Sequence, residues 1–438
     1  MAKLAYLLAL PLLAALGCAK NNPAYCNDPT HVAEFCPDAM VGPQGCQSNA
    51  ECTADPKASI CDVPNRKCVA CDANGQSATC DSATPICEAH ACRICKAHSD
   101  CDSRACLPNG TCAAATAIAY VSEADSADNP TCDQATPCET IQHAIDVGRA
   151  YVKINGKFDE GVSIRRSLTI LADPGAELTR GANGPVLVVD GLFTVEINDL
   201  TVKRSRNDVG VSTVNNATLT LNHVTVSEMM GSGISCAGKQ MTINQSTIYK
   251  NMQLGVICSN GALKITSSLI GKNNGGGISL TNSTLDITNT FIVHNGADNS
   301  TVGGASLNPT GTGNRFEFNT VADNRMGNTS TFSGGLFCDS ATLSAANNII
   351  AHNYVQNDTA RTNANLSPGC TSASTAGGST LDALKLVNSS NEPYDYHLQA
   401  GSSAIGAATT ASLVTTDFEG DPRPDGAKDQ GADQYKAP

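Results

Sequence analysis

The sequence has no tryptophan, and its nine tyrosines and nine phenylalanines make aromatics only 4% of 438 residues. Flat platforms on which bases or sugar rings stack are therefore scarce. Charged side chains are also few, at 16%, and acids outnumber bases to leave a formal net charge of −13. A chain of that sign repels phosphates, so nucleic acid is excluded as a partner. Beyond residue 17 no stretch offers 18 uncharged apolar residues, so no membrane-spanning helix is expected there. What the chain holds in quantity is glycine, with 38 residues, and cysteine, with 21. So much cysteine points to an oxidising compartment and disulfides.

Residues 1–17 read as a signal peptide: Lys3 is followed by an uncharged apolar run from Leu4 to Gly17, too short to cross a bilayer. The run ends in Ala15-Leu16-Gly17-Cys18. This resembles the lipobox of bacterial lipoproteins, with Ala15 where that family usually has Leu. The resemblance implies cleavage before Cys18, lipidation of Cys18, and a place in the bacterial envelope at the outer membrane or cell surface. The lipid would be the membrane attachment and residues 18–45 its tether. The plainer reading is a secretory signal with an incidental cysteine. With Cys18 set aside, an even twenty cysteines remain.

Residues 46–112 carry cysteines in fours: Cys46, Cys52, Cys61, Cys68; then Cys71, Cys80, Cys87, Cys92; then Cys95, Cys101, Cys106, Cys112. The stretch lacks Phe, Tyr and Trp, so disulfides must replace a core, each closed loop contributing about 3 kcal/mol. Pairing within a unit is not legible. Cys26 and Cys36 make a further expected pair. Zinc is the sharper alternative, because Cys68-Val69-Ala70-Cys71 and Cys92-Arg93-Ile94-Cys95 are C-x-x-C with His90 and His98 nearby. The repeat explains those spacings more simply, since each C-x-x-C joins the end of one unit to the start of the next. The segment is read as a stalk.

From Ile118 the texture changes. Ile118 to Val121 reads as an opening strand, Cys132 and Cys138 as a local disulfide, and Glu139 to Ala150 as a short amphipathic helix. Strands follow at 152–154, 162–164 and 168–171. Paired apolar positions then recur: Val195, Ile197, Leu200, Val202; Leu219, Leu221, Val224, Val226; Met241, Ile243, Ile248; Leu263, Ile265, Ile270; Leu285, Ile287, Ile292. Later units at Phe316, Phe318, Val321 and Leu343, Ala345, Ile350 are less regular. The steps are 24, 22, 22 and 22 residues, then 31 and 27. Period-two alternation inside a constant longer period marks a solenoid, with roughly eight coils in about 40 Å.

Asn251, Asn273, Asn295, Asn324 and Asn353 recur once per coil, as a ladder expected to take the left-handed turn conformation. A glycine recurs at Gly210, Gly233, Gly255, Gly277, Gly304 and Gly335. Three residues after these glycines the register sets Cys236 above Cys258, close enough for a disulfide, and leaves Cys338 for Cys370. The alternative is four buried free thiols. The run Tyr120-Val121-Ser122 with Pro137-Cys138-Glu139-Thr140-Ile141-Gln142-His143-Ala144-Ile145, together with the asparagine ladder, resembles the right-handed parallel β-helix proteins of the pectin-lyase-like superfamily. The likeness extends through Asp417-Phe418-Glu419-Gly420-Asp421-Pro422-Arg423-Pro424 and Asp429-Gln430-Gly431-Ala432-Asp433. It implies an all-β fold over residues 116–435: a right-handed parallel β-helix with a short N-terminal capping helix, preceded by the small disulfide-rich segment. Arg423 is expected to pair with Asp417 or Asp429 and pin the last loop over the solenoid's end. Asp417, Glu419 and Asp421 are the rival calcium set, since hard oxygens suit that ion. No other cofactor is indicated.

One column bears on chemistry. Directly before each ladder position stand Arg204, Glu228, Lys250, Lys272, His294, Asp323 and His352. In β-helix enzymes that cleave glycans, such groups line a groove, and Lys272, His294, Asp323 and His352 are the candidates here. The column is also an outward position that any solenoid must keep polar, and that reading is preferred. The Asn-Thr-Asp, Asp-Asp and Gly-His-Gly motifs of β-helix galacturonases and the Arg-x-Pro-x-x-Arg pattern of pectate lyases are missing. The expected function is structural, adhesive or glycan-binding, toward an extracellular polysaccharide or another surface protein. A polysaccharide lyase, hydrolase or epimerase acting on uronate-containing glycans is the alternative.

Overall fold

The computed structural model describes residues 46–52, 58–71, 80–124, 127–327, 333–339, 343–356, 365–367, 369–376, 381–409 and 411–437. The signal peptide, Cys18 and the Cys26 and Cys36 pair lie outside them. The chain divides into two compact units, Met1–Cys112 and Ala113–Pro438.

In the first unit each group of four cysteines pairs first with third and second with fourth. The bonds are Cys46–Cys61 and Cys52–Cys68, Cys71–Cys87 and Cys80–Cys92, Cys95–Cys106 and Cys101–Cys112. The repeat has a structural cause. The third and fourth cysteines face each other across a tight antiparallel pair: Cys61 opposite Cys68, Cys87 opposite Cys92, Cys106 opposite Cys112. Each then reaches back to a different earlier cysteine, closing loops that separate by 11 to 16 residues. His90 and His98 are engaged with backbone, at Cys71 O and Cys106 N, and every thiol of the C-x-x-C pairs is oxidised.

The second unit is a parallel β-solenoid. Its opening strand Ile118–Ser122 pairs with Tyr151–Asn155, and the helix Ile141–Asp146 lies against this first coil. The helix is shorter than the expected 139–150. Thr140 caps it, and Glu160, brought in from the next strand region, accepts from the Ile141 and Gln142 N–H groups at 2.7 and 3.2 Å. Its end is marked by Gly148, with a φ of 92°. Ile141, Ala144 and Ile145 are buried, and Cys132–Cys138 closes the loop before the helix.

Three columns of strands follow. The first runs through Thr194–Asn198, Thr218–Asn222, Gln240–Asn244 and Ala262–Thr266; the second through Thr201–Ser205, Thr225–Ser227, Thr247–Tyr249, Leu269–Gly271, Phe291–Val293 and Thr320–Ala322; the third through Val211–Val214, Ile234–Cys236 and Leu254–Ser259. Inward residues such as Val195, Leu219, Met241 and Leu263 stack directly on one another. Each such buried aliphatic contributes about 2 kcal/mol. The last two coils differ from the sequence reading. Phe316 stacks on Ile287 and beneath Ala345, so both steps are 29 residues rather than 31 and 27. A two-residue slip keeps every side chain on its own face, which is why the pattern alone admitted it.

The expected disulfides Cys236–Cys258 and Cys338–Cys370 are present, the first between residues paired in adjacent strands. The ladder is continuous: each Asn Nδ2 donates to the next Oδ1 from Asn251 through Asn273, Asn295, Asn324 and Asn353 at 2.8–3.0 Å, and Asn365 extends it. The glycine column exists because of the ladder. A Cβ at Gly233, Gly255, Gly304 or Gly335 would sit 2.7–2.9 Å from a ladder Nδ2. The left-handed conformation, however, belongs to the residue before each Asn. Arg204, Glu228, Lys250, Lys272, His294, Asp323 and His352 have φ between 53° and 60°. That turn throws the ionisable side chain outward and aims the next residue into the coil, Ser205 and Met229 in the first two coils and Asn from Asn251 onward, where the Asn hydrogen bonds offset a backbone cost of about 1–2 kcal/mol.

The C-terminal residues run back along the solenoid's flank. Leu386–Asn388 and Asp395–Leu398 form an antiparallel hairpin. Later residues anchor on a turn row through Ser267 Oγ to Asp417 O, Asn289 Nδ2 to Thr416 O, Gly431 N to Asn347 O and Ala432 N to Thr320 Oγ1. Arg423 is buried and bonds to backbone carbonyls instead of pairing directly with Asp417 or Asp429.

Candidate functional site

The outward residues of the second column explain where the C-terminal segment lands. Early coils present Thr201 and Lys203, then Thr225 and Ser227; later ones present Phe291 and Val293, Ala322, then Ile349 and Ala351. An apolar outer face must be covered. The hairpin covers it, and Phe291, Val293, Ala322, Tyr396 and Ala432 form a second core outside the coil, with Leu269, Tyr394 and Phe418 at its margin.

Cover is incomplete. Between hairpin and strands a groove of about 740 Å³ remains, lined by Tyr249, Leu269, Phe291, Val293, Val387, Pro393, Tyr394, Tyr396 and Phe418, with Thr247, Asn388, Glu392, Asp395 and His397 supplying polar atoms. Three of the nine tyrosines and two of the nine phenylalanines meet here. The scarcity of aromatics hid this concentration, because the contributors are remote in sequence. The detectable signal was the change from polar to apolar at the outward positions of the second column.

Members of the ionisable column lie behind the lining residues and hold the hairpin in place. Lys250 Nζ lies 2.5 Å and Lys272 Nζ 3.0 Å from the carboxylate of Glu392, which also accepts from Tyr249 Oη at 3.0 Å. Lys250, then Lys272 and Tyr249, hold the Glu392 carboxyl down at about 2, against an ordinary value of 4.5. Its docking contribution is therefore complete above about pH 4.5 and is lost as pH falls through about 2. Acid titration followed by tyrosine fluorescence, unmasked by the absence of Trp, should show the hairpin leaving the strands in that window. A Glu392→Gln variant should lack the transition.

His294 stacks on Tyr394 with ring centroids 3.6 Å apart and meets Ser389 O at 3.2 Å and Tyr396 Oη at 2.9 Å. Burial pushes its pKa down. Asp323, only 8% exposed, bonds to His352 Nδ1 through one oxygen and to Tyr396 Oη through the other. Burial, then Asp323, pushes the Tyr396 phenol far up. Of the expected candidates, His294, Asp323 and His352 thus form one connected cluster under the hairpin, while Lys272 serves the neighbouring ion pair.

The calcium set does not converge. Asp417 is buried, and its oxygens accept from the N–H groups of Glu419, Asp421 and Gln434 at 2.7–3.1 Å, making it a turn anchor. Asp421 pairs with Lys436, and Glu419 reaches His397. His397 is held at about 9 chiefly by Glu419, with Asp395 adding to the effect against desolvation. It is protonated near neutrality and is not a free base.

No protein-family model matches the chain, and no curated protein matches it. Among solved structures it is similar to one described as "Crystal structure of pectate lyase Pel9A", with a TM-score of 0.53 and 14% identity over 73% of this chain and 96% of that one. At that identity the likeness concerns the fold.

Proposed function

We propose that the protein is an exported, lipid-anchored surface protein that binds a glycan in the flank groove without cleaving it. The observation that carries the reading is the groove itself. Its volume suits a short saccharide segment, and its lining combines three tyrosines and two phenylalanines with polar side chains. The acids and bases beside it are committed to seating the hairpin, which leaves them poorly placed to exchange protons with a substrate. Glu392 offsets one of the two charges of Lys250 and Lys272, and Asp395 and Glu419 flank His397 at the other end. A neutral glycan is favoured over a polyuronate, which the chain's net charge of −13 disfavours. Export is supported by the disulfides of both units, and anchoring by the lipobox at Cys18. Labelled palmitate should enter the wild-type chain and not a Cys18→Ser variant; equal labelling of both, or of neither, removes the anchor.

The test of binding is a panel of neutral and acidic polysaccharides, with retention, new reducing ends and unsaturated uronate followed together. Retention on a neutral member without products is expected. Product formation abolished by His294→Ala would instead favour the lyase, hydrolase or epimerase that the fold likeness suggests. Absence of both retention and products would remove the glycan reading.

A further inference from the structure

Beside the groove, three groups from separate parts of the C-terminal segment converge: His397 from the second hairpin strand, Glu419 from the following loop, and Asp433 near the last turn. One potential ligand atom from each lies within 4.8 Å of the others. We infer that His397, Glu419 and Asp433 bind a single divalent cation of the zinc class.

Four observations support the assignment. The imidazole is oriented as a metal-ligating imidazole is: His397 Nδ1 lies 2.5 Å from Asp395 Oδ1, and the His397 N–H donates to that same oxygen at 3.0 Å. A carboxylate on the far nitrogen fixes the ring and raises the basicity of the ligating one. Nε2 is thereby turned toward Glu419 Oε1, 2.6 Å away. Asp433 is 7% exposed and held by the Leu398 N–H at 2.7 Å. Three carboxylates thus surround one imidazole. A divalent ion held among them would offset the negative charge they gather. Finally, Phe291 and Phe418 stand edge-on to the His397 ring at 5.4 and 6.1 Å, an apolar wall that confines it.

The ligand set chooses the metal. One imidazole nitrogen and two carboxylates suit zinc, which takes three protein ligands and leaves a position open; calcium requires six to eight oxygens. His397 also lines the groove.

The test uses the purified, non-reduced protein, stripped with chelator and titrated with Zn²⁺ against a chromophoric competitor. One equivalent is expected to bind, with X-ray absorption showing nitrogen and oxygen neighbours at about 2.0–2.1 Å. Glu419→Gln, at an exposed position that leaves the fold intact, should weaken binding at least about tenfold, and His397→Ala should abolish it. Excess Ca²⁺ should not compete. Failure of the wild type to bind zinc, unchanged affinity in Glu419→Gln, sulfur neighbours in the absorption spectrum, or competition by calcium would each overturn the assignment.

Discussion

Replacing Arg423 with Met is expected to release residues 411–437 from the flank and to destabilise the protein by about 3–5 kcal/mol. Arg423 is 4% exposed. Its guanidinium donates to the carbonyl oxygens of Thr416, Asp429, Asp433, Gly431 and Ala432 at 2.8–3.3 Å and to Asn289 Oδ1 at 3.1 Å. It also lies 4.4 Å above the Phe318 ring. Burial lowers its pKa to about 10, with Asp417, Asp429 and Asp433 opposing the fall, so the charge persists at neutral pH. Methionine fills similar volume and donates nothing. Five carbonyls then lose their donor, and the buried carboxylates lose the nearest fixed positive charge. Under native conditions, limited proteolysis should cut the variant between 411 and 437 while the solenoid resists. Arg423→Lys keeps charge without the planar fork and should fall between. Wild-type resistance in Arg423→Met would mean that the apolar contacts of Phe291, Tyr396 and Ala432 alone hold the segment.

Asn273→Ala should cost about 4 kcal/mol, from the middle of the ladder. The side chain is wholly buried, gives Nδ2 to Asn295 Oδ1 and Ile248 O, and accepts at Oδ1 from both the N–H and Nδ2 of Asn251. Alanine removes a partner from two donors, Asn251 N–H and Nδ2, and from two acceptors, Asn295 Oδ1 and Ile248 O, in a wholly buried position, at about 1–3 kcal/mol for each group left unsatisfied. Asn353→Ala, one rung from the end, removes comparable bonds to Asn324 and Val321. Its neighbour Asn365 is only half-buried, so solvent can relieve part of the loss and the effect should be smaller. Chemical denaturation measures both. Equal and small losses, below about 1 kcal/mol, would show that the column is not energetically continuous.

The solenoid was legible because its two periods are independent. Alternation assigns inward faces, and the step of 22 residues stacks Leu219, Met241 and Leu263. The disulfide Cys236–Cys258 followed from that register alone. Legibility failed where the same periodicity is degenerate: Phe316 fits two registers by alternation, and the 29-residue step is fixed by polar contacts such as Asn314 Oδ1 accepting from the Leu285 N–H and Asn319 Oδ1 from the Thr290 N–H. The left-handed turn was assigned to Asn by residue preference, yet Lys, His, Glu and Arg occupy it, because the inward Asn is worth more to the stack than an easy φ. The groove was invisible for a different reason. Tyr249 and Phe291 belong to coils, whereas Tyr394 and Phe418 arrive from a segment more than a hundred residues later. The ionisable column was recognised as outward and polar, but its task of gripping Glu392, Tyr394 and Tyr396 depends on that same return.

The most direct test of glycan binding without cleavage is a titration of the retained oligosaccharide into wild type and Tyr394→Ala, read by tyrosine fluorescence, with the oligosaccharide's mass checked at the end. Tyr394 lines the groove, is only half-buried, and stacks on His294. The account requires saturable binding, an oligosaccharide of unchanged mass, and affinity about tenfold weaker in the variant. A shortened oligosaccharide, or equal affinity in both proteins, would contradict it.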